Sequence, residues 1–206
     1  MKGALQNQIT TELISGYYNV KELSKIIKDT EYGTSKKSQQ SGKVPVIRMG
    51  NIQDGQIDMS DLVFTDDEDD ITKLKLNKFD ILFNRTNSPE HVGKVGIYMD
   101  DGPAIFAGYL IRINYLPEVI NPIYLCYIMN SRKIREYGFS IMSKSINQAN
   151  ISGNALVKYK IPVPSLPEQQ KIVSEIEAIE KRINTNKEII EAAAAKKKAV
   201  LDTWLK

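Results

Sequence analysis

Isoleucines at positions 172, 176, 179, 183 and 190 fall at steps of four, three, four and seven, inside a stretch from 168 to 206 that holds neither proline nor glycine. That spacing is the heptad seam of a coiled coil. The count continues through Asn186, a polar residue at a seam position, then Ala193, Lys197, Val200 and Trp204. Ala192 to Ala195 add the residue type of highest helix propensity. Ser165 and Glu168 have the spacing of a capping box, and Pro167 falls in the first turn, where a missing N–H does little harm. A helix from 167 to 204 would be roughly 57 Å long at about 1.5 Å per residue. Packing on the protein's own core is the ordinary use of such a stripe, but a rod of this length cannot bury it against a small domain alone. The pattern therefore predicts a partner helix facing Ile172, Ile176, Ile179, Ile183, Ile190 and Trp204, with Asn186 specifying register at some cost in stability. Glu177 and Lys181 form an i, i+4 pair suited to an exposed flank.

The rest of the 206 residues is enough for one domain with a good core. Hydrophobic content of 42% and charged content of 26% are ordinary for a soluble globular chain. No apolar run approaches the length of a membrane span, and Met1-Lys2 does not lead into a secretory hydrophobic region, so neither a transmembrane helix nor a signal peptide is expected. Cys126 is the only cysteine, which excludes an internal disulfide and a cysteine-rich zinc site and points to a reducing, cytoplasmic setting. Residues 1–165 carry 20 Lys and Arg against 18 Asp and Glu, and five of those acids lie together in Asp66-Asp67-Glu68-Asp69-Asp70. With that run read as a solvated loop pointing elsewhere, a positive face can form; it lacks the glycine and terminal Glu of an EF-hand.

Along the chain, residues 1–14 read as a short segment of weak helical character, and Val20 to Lys28 follows a helix-like pattern. Glu31 to Lys43 reads as a loop, Val44 to Met49 as a strand closed by Gly50-Asn51, and Phe79 to Phe83 as another strand. Val92 to Tyr98 and Ala104 to Ile113 follow as strands joined by the turn Asp100-Asp101-Gly102-Pro103. Asn121-Pro122 is a helix start, Asn as N-cap and Pro at the first position, with the helix expected to reach about Tyr137. Leu156 to Val163 supplies a last strand. The fold class is α+β: a mixed α/β globule over 1–165, then a long C-terminal helix over 166–206.

Catalytic motifs are not found. His91 is the only histidine, so no His-based metal cluster can be built, and Gly93 and Gly96 make neither a dinucleotide fingerprint nor a phosphate loop. No nucleophile elbow and no Asp/Asn-Pro-Pro-aromatic motif of an amino-methyltransferase occurs. Asp80 and Glu90 could be paired as carboxylates, but Asp80 sits at the turn before an apolar strand, where acidic residues are common. What the chain does contain is loops mixing cations with amides and hydroxyls: 34–40, 84–88 and 144–150. Arg and Lys neutralise phosphates, Arg can grip guanine edges, and Asn and Gln can pair with adenine. The bland alternative is that these residues make turns and caps.

Four segments now occur in order: Val44-Pro-Val-Ile-Arg-Met-Gly-Asn-Ile52; Phe79-Asp-Ile-Leu-Phe-Asn-Arg-Thr-Asn-Ser88 with Val92-Gly-Lys94; Ser145-Ile-Asn-Gln-Ala-Asn-Ile-Ser152; and Ile161-Pro-Val-Pro-Ser-Leu-Pro-Glu-Gln-Gln170. Together they resemble the specificity subunits of type I restriction-modification systems, over roughly residues 15 to 206. The resemblance implies a recognition domain over 1–165 that reads one half of a split site in double-stranded DNA. It also implies a spacer helix over 166–206 that forms an antiparallel coiled coil and docks methyltransferase subunits. Methylation with S-adenosylmethionine would belong to those subunits, and cleavage to a separate restriction motor subunit, leaving this chain without a cofactor of its own. The DNA-facing candidates are Lys36, Lys37, Arg85, Asn87, Lys94, Lys144, Asn147 and Gln148, with Arg48 and Asn51 as further members.

Family members generally hold two recognition domains and two spacers in about twice this length, whereas this chain has one of each. It is either a half-subunit that forms a homodimer on a spaced palindrome, or a fragment of a longer chain. Two other classes stay open: a helical-rod interaction protein without DNA function, and an enzyme with an unrecognised site.

Overall fold

Ile81-Leu82-Phe83 is apolar at every position, and the structure buries it on both sides. Ile81 and Phe83 belong to one hydrophobic cluster and Leu82 to a second. Alternation along a strand divides the three residues in this way. The structure, a computed structural model, describes residues 19–146 and 148–204. The segment 1–14 lies outside the described residues.

In chain order the elements are β1 Val20–Glu22, β2 Ile27–Tyr32, β3 Val44–Ile47, β4 Ile52–Gln53, β5 Gln56–Ile57, β6 Val63–Thr65 and α1 Glu68–Leu74. There follow β7 Ile81–Asn84, β8 Thr86–Asn87, β9 Val95–Ile97, β10 Ile105–Phe106, β11 Leu110–Tyr115, α2 Pro122–Asn130 and α3 Arg132–Ile141. The last are β12 Ser143–Lys144, β13 Ala149–Asn150, α4 Gly153–Leu156, β14 Lys160–Pro162 and α5 Leu166–Trp204. A six-stranded sheet runs β2-β11-β7-β9-β5-β4. Two three-stranded sheets run β10-β3-β6 and β12-β13-β8, and β1 pairs with β14. The first cluster joins β7, β9 and β11 to α2 and the base of α5; the second joins the large sheet to β3 and β10.

One charge is held inside this framework. Arg112 on β11 is 9% exposed. Its guanidinium donates to the Lys75 carbonyl at 2.7 Å, to Asp80 at 3.0 Å and to Glu31, and it lies over the Phe106 ring at 5.3 Å. Asp80 is thereby a structural counter-ion, and it also accepts from the Asn77 amide at 3.0 Å.

The helix start at Asn121 forms as the sequence indicates, the Asn121 carboxamide oxygen accepting from the amides of Ile123 and Tyr124. The helix stops at Asn130 rather than near Tyr137. Ser131 takes an extended conformation (ψ 150°) and its hydroxyl donates back to the Ile128 carbonyl at 2.6 Å, after which α3 begins afresh. Val20 to Lys28 is helical only in the single 3-10 turn Leu23–Lys25: β1 pairs with β14, β2 begins at Ile27, and the amides of Leu23 and Ser24 donate to the carbonyls of Tyr159 and Val157. The strand expected over Leu156 to Val163 shrinks to Lys160–Pro162, because Ser152 caps the short helix α4 before it. Ala104 to Ile113 splits in two. β10 pairs with β3 and β11 with β7, the break falling where Ala107 bridges Thr34 and the Gly108 amide donates to the Thr34 carbonyl. The acidic run is not a loop: Asp67 caps α1 by accepting from the Asp70 amide, and Glu68, Asp69 and Asp70 fill its first turn, where the helix dipole favours them.

α5 spans 39 residues, roughly 58 Å at about 1.5 Å per residue. At its start the Ser165 amide and hydroxyl both donate to Glu168, at 2.9 and 2.6 Å. Ile172, Val173 and Ile176 are buried in the protein's own first cluster. The placement of Ile172 and Ile176 on a partner-facing seam is thus corrected; they anchor the rod to its own domain. Ile179 and Ile183 are half-buried, and from Asn184 to Trp204 every residue is exposed, Asn186 and Ile190 included. The anchor is directional. Gln169 is fully buried; its side-chain oxygen accepts from the Asn121 amide at 2.7 Å, and its nitrogen donates to the carbonyls of Val119 (3.0 Å) and Pro164 (2.9 Å). Leaving a buried polar group unpaired costs about 1–3 kcal/mol. Gln169→Leu, which removes three hydrogen bonds to backbone groups, should therefore destabilise the fold by about 1–3 kcal/mol in guanidinium unfolding.

Candidate nucleic-acid interface

Two of the polar loops meet in the smallest three-stranded sheet. Asn87 pairs with Ala149 and Thr86 with Asn150, while Lys144 pairs with Ala149 on the other side. β12 and β13 form a hairpin closed by the Ser145 amide and hydroxyl, which donate to the Gln148 carbonyl at 2.7 and 3.0 Å. Lys144 and Gln148 are exposed on it, and Ile146 at the tip is 99% exposed. Asn147 lies outside the described residues. Asn87 is half-buried; its side-chain oxygen accepts from the Ser88 amide at 2.8 Å, and among the described residues nothing accepts from its nitrogen.

Arg85 sits just before β8. Its own amide donates to the Tyr109 carbonyl at 3.0 Å, and its carbonyl accepts from the Ile151 amide at 2.8 Å, so its backbone ties the hairpin to the β10–β11 connection. The guanidinium lies over the ring of Tyr32, 4.9 Å from the centroid, and reaches the Gly108 carbonyl only at 3.4 Å. Its Nε is buried without a partner. Tyr32 and Tyr109 are exposed at 44% and 51%.

Behind β8, the chain turns at Ser88, whose carbonyl accepts from the amides of His91 and Val92. Arg135 of α3 clamps this turn, donating to the carbonyls of Val92 and, at 3.0 Å, Glu90. Gly93 has φ +82°, and a Cβ there would meet the Arg135 guanidinium at 2.7 Å. Lys94 is half-buried beside it. Burial first, and the nearby Arg135 second, hold its ammonium below the ordinary lysine pKa, which an incoming anion would reverse.

The remaining candidates are elsewhere. The Lys36 ammonium lies 2.7 Å from Asp67 and 3.6 Å from Asp70, and Thr34 donates to Asp70 at 2.5 Å, so the acidic run folds onto the loop it was expected to leave free. Lys37 is exposed. Arg48 pairs with Asp61 at 3.1 Å. Asn51 is 4% exposed: its oxygen accepts from the Arg48 amide at 2.8 Å and its nitrogen donates to the carbonyls of Asp58 (2.9 Å) and Asp61 (2.8 Å). Asn51 is therefore corrected to a brace of the 48–61 loop, with no amide group left to reach DNA. Cys126 is buried, its thiol pushed up to about 12 by that burial and donating to the Gly55 carbonyl at 3.2 Å. No group of three or more potential metal ligands occurs among the described residues, and no described helix is long and apolar enough to cross a membrane.

Sequence reasoning passed over Tyr32 and Arg135. Tyr32 stood at the edge of a segment read as loop, and Arg135 inside a helix expected to continue; neither position carries a local signal. The Asp54-Gly55 turn between β4 and β5 was also missed, although an Asp-Gly pair with both residues at positive φ (50° and 83°) is a strong hairpin sign.

Residues 15–194 match the family described as type I restriction modification DNA specificity domain. Among curated proteins, the type I restriction enzyme MjaX specificity subunit of Methanocaldococcus jannaschii is 31% identical over 188 residues, covering 89% of this chain and 44% of that protein. The EcoKI specificity subunit of Escherichia coli is 27% identical over 77% of this chain and 37% of its own length. The chain thus spans less than half of these relatives. Among solved structures, the HsdS subunit from Thermoanaerobacter tengcongensis superposes with a TM-score of 0.63 over 90% of this chain and 45% of its own, at 16% identity, a likeness of fold.

The two kinds of candidate separate by stability. Asn51→Ala removes the hydrogen bonds to the Arg48 amide and two loop carbonyls and should cost about 1–3 kcal/mol. Lys144→Ala, at an exposed site, should stay within about 0.5 kcal/mol of the unsubstituted protein. Urea unfolding of both variants checks the assignment.

Proposed function

The chain belongs to the type I restriction-modification DNA specificity domain family, and from that premise we propose that it reads one half of a bipartite site in double-stranded DNA. In this reading it performs no chemistry itself and directs partner methyltransferase and restriction motor subunits to the site. The carrying observation is the β12–β13–β8 sheet, which gathers Arg85, Asn87, Lys144 and Gln148 from two separate sequence segments. A B-form major groove admits a two-stranded ribbon, and the Ser143–Asn150 hairpin with its exposed tip has that form. Lys94 and Lys144 supply cations for phosphates, while Arg85 and Asn87 supply donor patterns that match base edges. Lys37 is retained as a phosphate contact. Lys36 and Arg48 can contribute only by leaving the carboxylates that hold them.

The exposed end of α5 supports the second half of the proposal. Ile189, Ile190, Val200, Leu201 and Trp204 are 48–83% exposed along it. Water-facing apolar side chains along a rod favour a helical partner. A second copy paired antiparallel would set two recognition domains at opposite ends and make the recognised site a spaced palindrome. Asn186 would then set register, and Ile179 and Ile183 would form the inner end of the seam.

Cells supplied with this chain and a methyltransferase subunit should acquire adenine methylation at one spaced motif, mapped by methylation-sensitive sequencing. Methyl transfer by the purified chain alone would overturn the reading. Lys144→Ala should weaken binding to all duplexes and reduce the slope of log K against log salt by about 1. Light scattering should give a dimer, and Ile190→Asp with Leu201→Asp a folded monomer; a monomer from the unsubstituted chain removes the homodimer.

A further inference from the structure

Tyr32 touches both motif segments at once. Its ring lies under the Arg85 guanidinium at 4.9 Å, and its hydroxyl accepts from the Gly153 amide at 2.9 Å, immediately after the 145–152 segment. Gly153 permits this approach, since a Cβ there would stand 2.9 Å from the hydroxyl. Tyr32 closes β2, the edge strand of the large sheet, opposite Ile111, so the contact is built on a paired strand and not on a loose loop. Arg85 is otherwise held lightly. Of its five N–H donors, only one finds an acceptor among the described residues, the Gly108 carbonyl at 3.4 Å, and no carboxylate pairs with it. A cation stacked on an aromatic face is attracted by the ring quadrupole, more strongly where the site is partly desolvated. The stack restrains the guanidinium while its outer N–H groups stay available.

We propose that Tyr32 is a positioning residue for DNA specificity: its ring fixes the plane of Arg85, so that the guanidinium presents a two-donor edge to a pair of acceptor atoms on DNA. This rests on the DNA-reading function proposed above. The acceptor pair is a guanine O6/N7 edge; two phosphate oxygens share the same planar, bidentate geometry and are the competing outcome of the test. An ammonium at position 85 would keep the charge and lose both the stack and the fork. The hydroxyl's bond to Gly153 is a separate fastening of the hairpin, and the specificity role resides in the ring.

The test uses the chain assembled with its methyltransferase subunit, a duplex carrying the motif mapped by methylation, and a scrambled duplex at the same salt. Tyr32→Leu should lose about tenfold in the ratio of the two affinities, the scale of one good base contact. Tyr32→Phe should stay within about twofold, because it keeps the aromatic face. In an Arg85→Ala background, Tyr32→Leu should cost nothing further. Should Tyr32→Leu fail to fold, Arg85→Lys carries the test and should lose the same ratio in a folded protein. Selective loss on the motif assigns the edge to a base; equal loss on both duplexes, with a flatter salt slope, assigns it to phosphate and overturns the specificity role. Unchanged binding by Tyr32→Leu or Arg85→Lys overturns the positioning role while leaving DNA reading intact. An unsubstituted complex that does not bind the motif duplex overturns the DNA reading itself.

Discussion

The carboxamide of Gln169 determines how the two parts of this protein stand to each other. A helix of 39 residues gains nothing from water on its exposed length and must be aimed by its first turns. Gln169 does this with three hydrogen bonds in a site without solvent: to the Asn121 amide at the start of α2, and to the carbonyls of Val119 and Pro164 on either side. Each partner is a backbone group, and the Pro164 carbonyl is buried with it, so the three bonds act together to fix the start of the rod. Beside them Asn121 donates to Gln170 at 3.1 Å, and Tyr127 donates to Glu180 at 3.0 Å about three turns further along α5. Ile172, Val173 and Ile176 then pack on α2 and the sheet. The result is a rod whose direction is set by polar contacts and whose attachment is secured by apolar ones.

The same division of labour recurs at the β12–β13–β8 sheet. Its strands are only two residues long, too short to persist alone, and they are held by groups from outside. Arg135 grips the turn behind β8 through two carbonyls, Tyr32 braces both the Arg85 side chain and the start of α4, and the Ile151 amide bonds to Arg85. A site mounted in this way can present long polar side chains while its backbone stays fixed, which is what preorganised recognition requires. Elsewhere several cations are engaged: Arg112 by Glu31 and Asp80, Lys36 by Asp67 and Asp70, Lys43 by Glu68. The acidic run therefore engages Lys36 and Lys43, while Arg85, Lys94 and Lys144, around β8 and the β12–β13 hairpin, form no ion pair among the described residues.

Much of this was legible in the residues, for identifiable reasons. The long helix declares itself through its period and the absence of breakers, the α2 start through Asn-Pro, and the central strand through Ile81-Leu82-Phe83, because each signal is local and depends on few neighbours. The segments containing Arg85 and the 145–150 hairpin were visible as polar loops, and their resemblance to a family suggested a common purpose. What periodicity could not say is which stretch of the isoleucine stripe is covered: Ile172 and Ile190 are equivalent in the sequence, yet one lies in the core and the other in water.

The sequence by itself determined the elements whose causes lie within one turn of helix or one strand: the rod, its cap at Ser165, the α2 start, the apolar centre of the sheet, and a chain with a single cysteine and a single histidine. Tertiary structure decided the rest. It turned Val20–Lys28 from an apparent helix into a strand, one 3-10 turn and the start of β2, because residues 157–162 offered carbonyls and a partner strand that no local pattern could announce. It took Asn51 inward to satisfy three backbone groups, drew the acidic run onto Lys36, and put a tyrosine from residue 32 under an arginine from residue 85. Side-chain identity fixes what a residue can bond to; only the packed chain fixes which partner is within reach.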